Sequence, residues 1–496
     1  MYTCFKMSIT SNLEVSFETD FYNVINNELV DTPSKRRTIC SSTKQPLKFE
    51  VPVATKEDVD RAVDYAARAY TSWSKLSWDK RAEYLSKFAD AIEANKDGFV
   101  KLLSLEAGKP PQAAAFEMAQ VIGVARQMPL LRIKEEKPID DTERTAIVRY
   151  VPLGVGVGII PWNFPLLLGT GKLLPALLAG NTFIWKPSPF TPHGALKLAE
   201  IGSKIFPPGV FQALSGDDSL GPWLTAHPGV AKVSFTGSVE TGKRIMTSCA
   251  GTLKRVTLEL GGNDAAIICD DVDISSVVSS VNQITLLSFV HSGQICMVIK
   301  RIYVHEKIYD QFLAEMAKQV KTFKMGGYND PEAFFGPVQN EMQYNKVKSL
   351  YAKINTEGWK AAVGGEIKDS EGFFLPATII DNPPEDSEVV QDEPFGPIVP
   401  VLKWSDEEDV IRRANNTKLG LGASVWSSDV PRAQRMAEQL EAGSIWVNTH
   451  FELAPNVPFG GHKESGLGME WGELGLKGWC NPQAYWVKHI QPKPDN

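Results

Sequence analysis

Cysteine is scarce in this sequence and evenly scattered. Cys4, Cys40, Cys249, Cys269, Cys296 and Cys480 are the only six in 496 residues, and none stands in a C-x-x-C pair. That usage argues against a disulfide framework or a zinc site, leaves no metal to expect, and suits reduced thiols in a cytoplasmic compartment. A dense Lys/Arg stripe is also missing and the net charge is −7, so no nucleic-acid partner is expected. The first twenty residues lack the apolar core of a signal peptide, and their acidic residues disfavour a mitochondrial leader; Met7 offers a second start. Tandem repeats and low-complexity linkers are absent. The one long apolar window, Val151 to Gly180, has the length of a membrane span. Pro152, Pro161, Pro165 and Pro175, with glycines between them, instead predict a short buried strand and a broken helix, and no membrane role.

What is present is a chain long enough for two or more domains. Between Thr55 and Glu106, Val59, Ala62, Val63, Ala66, Tyr84, Leu85, Phe88 and Ile92 recur at helical spacing, with Thr55 and Asp58 suited to a helix start. Strands are then expected at "GVGVGII", "NTFIWK" and "KVSFTG", and helices at "TPHGALKLAEIGSKIF" and "VETGKRIMTSCA". A second run follows Gly261, with "DAAIICD", "IKRIYVHE", "IYDQFLAEMAKQVKTF" and "VIRRANNTK". Alternation of this kind implies βαβ units and parallel sheets. Residues 132–151 read as a polar hairpin and "NPQAYWVKHI" as a tail strand. Their open edges call for cover. A second subunit would supply it in a homodimer or homotetramer; the alternative is packing on their own chain.

Several stretches carry chemistry, each with a plainer reading beside it. In "HSGQICMV", Cys296 is a nucleophile or a small apolar filler. "SFTGSVETG" is a strand, a glycine turn and a helix start that would suit a phosphate, or an ordinary turn. Glu259 in "TLELGGND" is a general base if burial lifts its pKa, or a surface carboxylate. Asn163 in the stiff turn "PWNFP" offers a fixed amide, to an oxyanion or to its own loop. Glu393 stands in the turn "DEPFGP".

Taken together, "PWNFP", "LLAGNT", "WKPS", "SFTGS", "LELGGND", "SGQIC", "EPFGP", "SIWVN" and "PFGGHKESG", in that order, resemble the aldehyde dehydrogenase superfamily over nearly the whole chain. The resemblance implies an α/β fold of two Rossmann-like parallel-sheet domains with a small β oligomerisation hairpin and C-terminal strand. Residues 1–131 and 152–261 would form the cofactor-binding domain, 262–472 the catalytic domain, and 132–151 with 473–496 the oligomerisation elements. It implies an NAD(P)-dependent oxidation of an aldehyde to its carboxylic acid, with Cys296 as nucleophile, Asn163 as oxyanion donor and Glu259 as base. Because relatives that acylate coenzyme A usually lack this glutamate, hydrolysis is favoured. Lys172 and Glu473 would relay a proton. Lys186 would contact the adenosine ribose, Trp162, Gly237 and Ser238 the phosphates, and Glu393 with Phe395 the nicotinamide ribose, with Ile160 and Pro161 also at the cofactor. Pro189 stands where a glutamate often selects NAD, so the cofactor is NAD or NADP.

Phe164, Leu167, Gly171, Ile295, Met297, Phe451 and Phe459 would line an apolar approach for an aromatic or aliphatic aldehyde. No basic anchor for a semialdehyde is evident. Gly171 replaces a frequent tryptophan, leaving room for a bulky substrate or for a neighbour such as Phe451 to fill. His291 replaces a frequent asparagine and either tunes the thiol or is structural. Coenzyme A-acylating and semialdehyde dehydrogenases are the enzymatic alternatives, and a non-catalytic protein of the same fold is the third.

Overall fold

The computed structural model describes residues 13–274 and 280–490; Met7 and the last six residues of the expected C-terminal element lie outside them. Two doubly wound sheets carry the molecule. In the first, the strands run in spatial order Glu28–Val30, Asn23–Ile25, Phe211–Ala213, Thr182–Lys186, Val155–Ile159, Lys232–Thr236, Arg255–Glu259 and Gly466–Leu467. The five from Phe211–Ala213 to Arg255–Glu259 are parallel. They are short apolar runs, buried almost throughout, as expected for strands covered on both faces. The chain winds outward from Val155–Ile159 in one direction, then returns to lay Lys232–Thr236 on its other side. This reversal opens a crevice beyond the carboxyl ends of those two strands, the usual ligand position in such sheets.

The second sheet has the order Lys360–Val363, Thr378–Asp381, Ile398–Trp404, Ile299–His305, Asp264–Ile268, Gly422–Trp426 and Ser444–Val447. Only its first pair is antiparallel. The chain passes between the sheets at Gly261–Gly262. A Cβ on Gly262 would stand 2.2 Å from the Cys296 carbonyl oxygen, so this crossing needs glycine for closeness of approach.

Residues Glu136–Asp140 and Arg144–Pro152 form the expected hairpin, and Cys480–Lys488 pairs with its longer strand from Cys480 opposite Pro152 to Lys488 opposite Arg144. Hairpin and tail thus cover one edge of each other within the chain, while Tyr485 and Trp486 remain exposed.

Local signals set many boundaries. Thr55 and Asp58 form a reciprocal capping box at the start of the Lys56–Trp73 helix. Ser238 caps the Val239–Ala250 helix by accepting from the Thr241 N–H. One expectation fails: Pro165–Ala179 is a continuous helix, with Pro175 inside it. Proline forfeits a single hydrogen bond there, and near-complete burial of the helix holds the remaining turns, so packing overrides propensity. Among the described residues no helix is long and apolar enough to cross a membrane.

Candidate active site

Cys296 follows a tight turn made by three successive left-handed residues, His291 (φ 51°), Ser292 (φ 58°) and Gly293 (φ 68°). Two non-glycine residues in that region are strained and must be held by their surroundings. Ser292 Oγ donates to the Gly336 carbonyl at 2.6 Å. Gln294 Nε2 donates to the His291 carbonyl at 3.0 Å, and its Oε1 accepts from the Gln339 N–H at 2.9 Å. Ile295 and Met297 are buried in the first lobe's core with Phe459 and Trp471. The thiol between them opens on a cavity of about 530 Å³. Burial pushes that thiol up to about 12, with Lys300 opposing, so it rests as S–H.

The Asn163 amide donates to the Gln294 carbonyl at 2.9 Å, which holds it beside the cysteine turn and leaves a second amide hydrogen uncommitted by that bond. Its neighbour Phe164 lies under the Lys109 ammonium, 3.6 Å from ring centroid to Nζ. Lys109 is itself paired with fully buried Glu117. Glu117 also accepts from the Leu166 and Leu167 N–H groups, anchoring the first turn of the Pro165–Ala179 helix. His291 packs edge-on against Phe164 at 5.5 Å. Burial, and then Lys109, hold its imidazole well below the usual pKa, so it is neutral, and it does not line the cavity.

Glu259 ends the Arg255–Glu259 strand with both carboxyl oxygens buried and without a hydrogen-bond partner among the described residues. Burial, with Glu470 adding and Lys172 opposing, raises it well above the ordinary carboxylate range. A carboxyl that is unpaired, lifted towards neutrality and facing the cavity has the properties of a general base.

Two residues named from sequence are corrected. Glu473 does not reach Lys172; it pairs with Lys477 at 2.9 Å on the surface. The partner of Lys172 is Glu470, 2.6 Å away, with Ser234 Oγ bridging both. Trp471 (φ 59°) and Gly472 (φ 56°) turn the backbone between the two glutamates, so that only the first faces inward. Gly171 is no open wall either. A Cβ there would meet Trp471 Nε1 at 2.7 Å, and the Trp471 indole, not Phe451, fills that space and lines the cavity. Phe164, Leu167, Ile295, Met297, Phe451 and Phe459 do line it, as do Phe116, Gln120, Leu286, Leu287 and Phe334. These last five come from distant helices and loops and carry no motif; helical spacing of Phe116 and Gln120 was the only trace they left.

Beyond the same strand ends lies a second set. Ile160, Pro161 and Trp162 leave one side of the crevice, Gly237 and Ser238 the other. A Cβ on Gly237 would strike the Phe235 ring at 2.4 Å, and the N-terminus of the Val239–Ala250 helix follows, a fit for phosphate. Lys186 ends the neighbouring strand with no ion-pair partner among the described residues, and burial lowers it to about 8. Trp162 and Phe395 pack edge to face at 5.4 Å. Glu393 Oε1 accepts from the Gly262 N–H at 3.1 Å and lies 3.4 Å from Lys300 Nζ. Phosphate-ready backbone, a free buried lysine and a carboxylate near the thiol fit a dinucleotide laid from Lys186 towards Cys296. Pro189 contributes no carboxylate that would select between its phosphorylated and unphosphorylated forms.

The profile described as "Aldehyde dehydrogenase family" matches residues 30–485. The chain is 40% identical to aldehyde dehydrogenase LUC3 of Fusarium sp. over 471 residues, covering 95% of this chain and 99% of that protein. It is 36% identical to retinal dehydrogenase 2 of Mus musculus over 492 residues, covering 97% and 94%. The crystal structure of betaine aldehyde dehydrogenase from Staphylococcus aureus in complex with NAD+ superimposes with a TM-score of 0.90 at 32% identity, covering 95% of each chain. The chain belongs to the aldehyde dehydrogenase family.

Proposed function

We propose that this enzyme oxidises apolar aldehydes to free carboxylic acids through Cys296. Oxidation of an aldehyde with NAD(P)+ follows from the family; the substrate class and the residue roles are our reading. One observation carries it: the Cys296 thiol, the Asn163 amide and the unpartnered Glu259 carboxyl line a single apolar cavity.

The resting thiol must lose its proton before attack, and Glu259, acting through water, is the base within the cavity. Sulfur adds to the carbonyl carbon, and the oxygen that becomes negative takes hydrogen bonds from Asn163 Nδ2 and the Cys296 N–H. Held by Lys186, Gly237, Ser238 and Glu393, NAD(P)+ would supply the hydride acceptor for this adduct, and its oxidation would leave the acyl group on Cys296 as a thioester. After releasing the thiol proton, Glu259 takes a proton from the water that attacks the thioester and returns it to the departing sulfur, so that the acid leaves with the thiol restored. The released thiol proton passes from Glu259 towards Glu470, which Lys172 and Ser234 hold in place. Retention of Glu259 supports hydrolysis over transfer to coenzyme A.

Aromatic and aliphatic side chains make up most of the cavity wall. Cys296 aside, its ionisable residues are Glu259, Glu470, Glu452 and His450, with no lysine or arginine among the described residues. A distal carboxylate would meet no cation there, which supports neutral apolar substrates over semialdehydes. In our reading, residues 1–131 with 152–261 bind the cofactor, 262–472 bear the nucleophile, and the exposed strand Cys480–Lys488 joins subunits in a cytoplasmic homo-oligomer.

Formation of reduced cofactor by purified protein tests this. The panel is aromatic, aliphatic and carboxylated aldehydes with NAD+ or NADP+, and no coenzyme A. Turnover on the apolar members, abolished by Cys296→Ala, is expected. Full turnover in Cys296→Ala, or strict dependence on coenzyme A, overturns the reading.

A further inference from the structure

We infer that Lys300 is a positioning residue that couples occupation of the ribose site at Glu393 to ionisation of the Cys296 thiol. The inference rests on the nucleophile role proposed above for Cys296 and on the ribose contact that the family resemblance implies for Glu393. Lys300 is almost completely buried, and its Nζ is bound to the nucleophile's own backbone. It donates to the Ile295 carbonyl at 2.8 Å and to the Cys296 carbonyl at 2.5 Å. On its other side stands Glu393 Oε1, at 3.4 Å. The same carboxylate oxygen accepts from the Gly262 N–H, and Glu393 Oε2 lies 2.5 Å from where a Cβ on Gly261 would be. Glu393, Lys300, Gly262 and Cys296 therefore form one contiguous cluster.

The charges around the thiol explain what the cluster does. Lys300 is the cation facing Cys296, while Glu393, Asp264 and Glu259 are the carboxyl groups facing it. His450 approaches from the adjoining loop, with its ring nitrogens against the Met297 carbonyl and Ser424 Oγ. With Glu393 folded onto Lys300, the ammonium is partly compensated and favours the thiolate less than an uncovered charge would. Ribose hydroxyls offer Glu393 alternative donors. Once it turns to them, an anion leaves the neighbourhood of the sulfur and the positive charge of Lys300 is uncovered in a low-dielectric site, where each effect favours thiolate. The ribose site would thus signal to the nucleophile through side chains of this chain, before any hydride moves.

The test is the pH dependence of Cys296 alkylation by iodoacetamide, read by mass spectrometry of the modified peptide in the full-length protein. ADP-ribose serves as probe, because it carries the terminal ribose without the charged nicotinamide ring. In the parent protein ADP-ribose is expected to lower the alkylation midpoint. Lys300→Met is expected to raise the ligand-free midpoint, to slow alkylation at neutral pH by about tenfold, and to abolish the response to ADP-ribose. Lys300→Arg is expected to restore part of both. Glu393→Gln is expected to lower the ligand-free midpoint, and this readout decides the matter should Lys300→Met not fold. A Lys300→Met or Glu393→Gln profile that superimposes on the parent, with and without ADP-ribose, overturns the inference. If turnover still depends on Cys296 in that event, the proposed function stands and only the coupling fails.

Discussion

Lys172 Nζ lies 2.6 Å from Glu470 Oε1, enclosed beneath the cavity, and this contact joins the Pro165–Ala179 helix to the loop that follows Leu467. Glu470 is also the largest charged contributor to the raised pKa of Glu259. The Glu470→Gln enzyme is therefore expected to lose turnover by roughly 100-fold, the lower end for a proton-transfer group. Its rate should reach half-maximum at lower pH than the parent, because an anion that raised the Glu259 pKa is gone. Glu473→Gln should change neither. Steady-state kcat against pH for the two variants decides between the glutamates.

Glu259→Gln is expected to trap the thioester. A burst of up to one reduced cofactor per site should remain, itself slower than the parent's because Glu259 also ionises the thiol, followed by turnover slowed roughly 10²- to 10⁴-fold. Rapid-mixing absorbance resolves the two phases, and a steady-state rate equal to the parent's would remove Glu259 from hydrolysis. The raised pKa also fixes a sign for stability. The folded protein keeps this proton where the unfolded chain has released it, so stability contributed by Glu259 falls as pH climbs from the usual carboxylate pKa towards the raised one. Thermal midpoints of Glu259→Gln should accordingly exceed the parent's by more at alkaline than at acidic pH.

Asn163→Ala should lower kcat with little change in cofactor affinity. Removal of one oxyanion donor typically raises the barrier by roughly 3–4 kcal/mol. The contact between Asn163 Nδ2 and the Gln294 carbonyl also holds the cysteine turn. Equilibrium binding of NAD+ alongside kcat separates the two effects, since a displaced turn would alter both.

Stability should depend strongly on the buried pair Lys109 and Glu117. Glu117→Gln leaves an unpaired ammonium under Phe164 and weakens the anchor on Leu166 and Leu167. Breaking such a pair typically destabilises by about 3–5 kcal/mol. The double change Lys109→Met with Glu117→Leu should recover part of the loss, because no buried charge is then stranded. Urea unfolding of the single and double variants tests this.

Much of this architecture was legible because it is written in short stretches. The helix Val239–Ala250 begins where Ser238 can accept from Thr241, a contact three residues long. Strands such as Thr182–Lys186 are apolar runs closed by proline or glycine, and the motifs around Asn163, Glu259 and Cys296 are each a few residues in length. Backbone preferences and nearest-neighbour hydrogen bonds act at that range, and they set the elements, their order and the chemical groups available.

Tertiary structure decided which of those groups meet. Lys172 and Glu470 are 298 positions apart, and two left-handed residues, Trp471 and Gly472, turn Glu470 inward and Glu473 outward. The same turn brings the Trp471 indole over Gly171 and closes the space that a missing side chain would otherwise leave. Pro175 stays helical because its helix is buried on nearly all sides. The residue types of the site were thus determined along the chain, whereas their pairings, the cavity's far wall and the pKa shifts came only with burial, which acts between segments that sequence proximity does not relate.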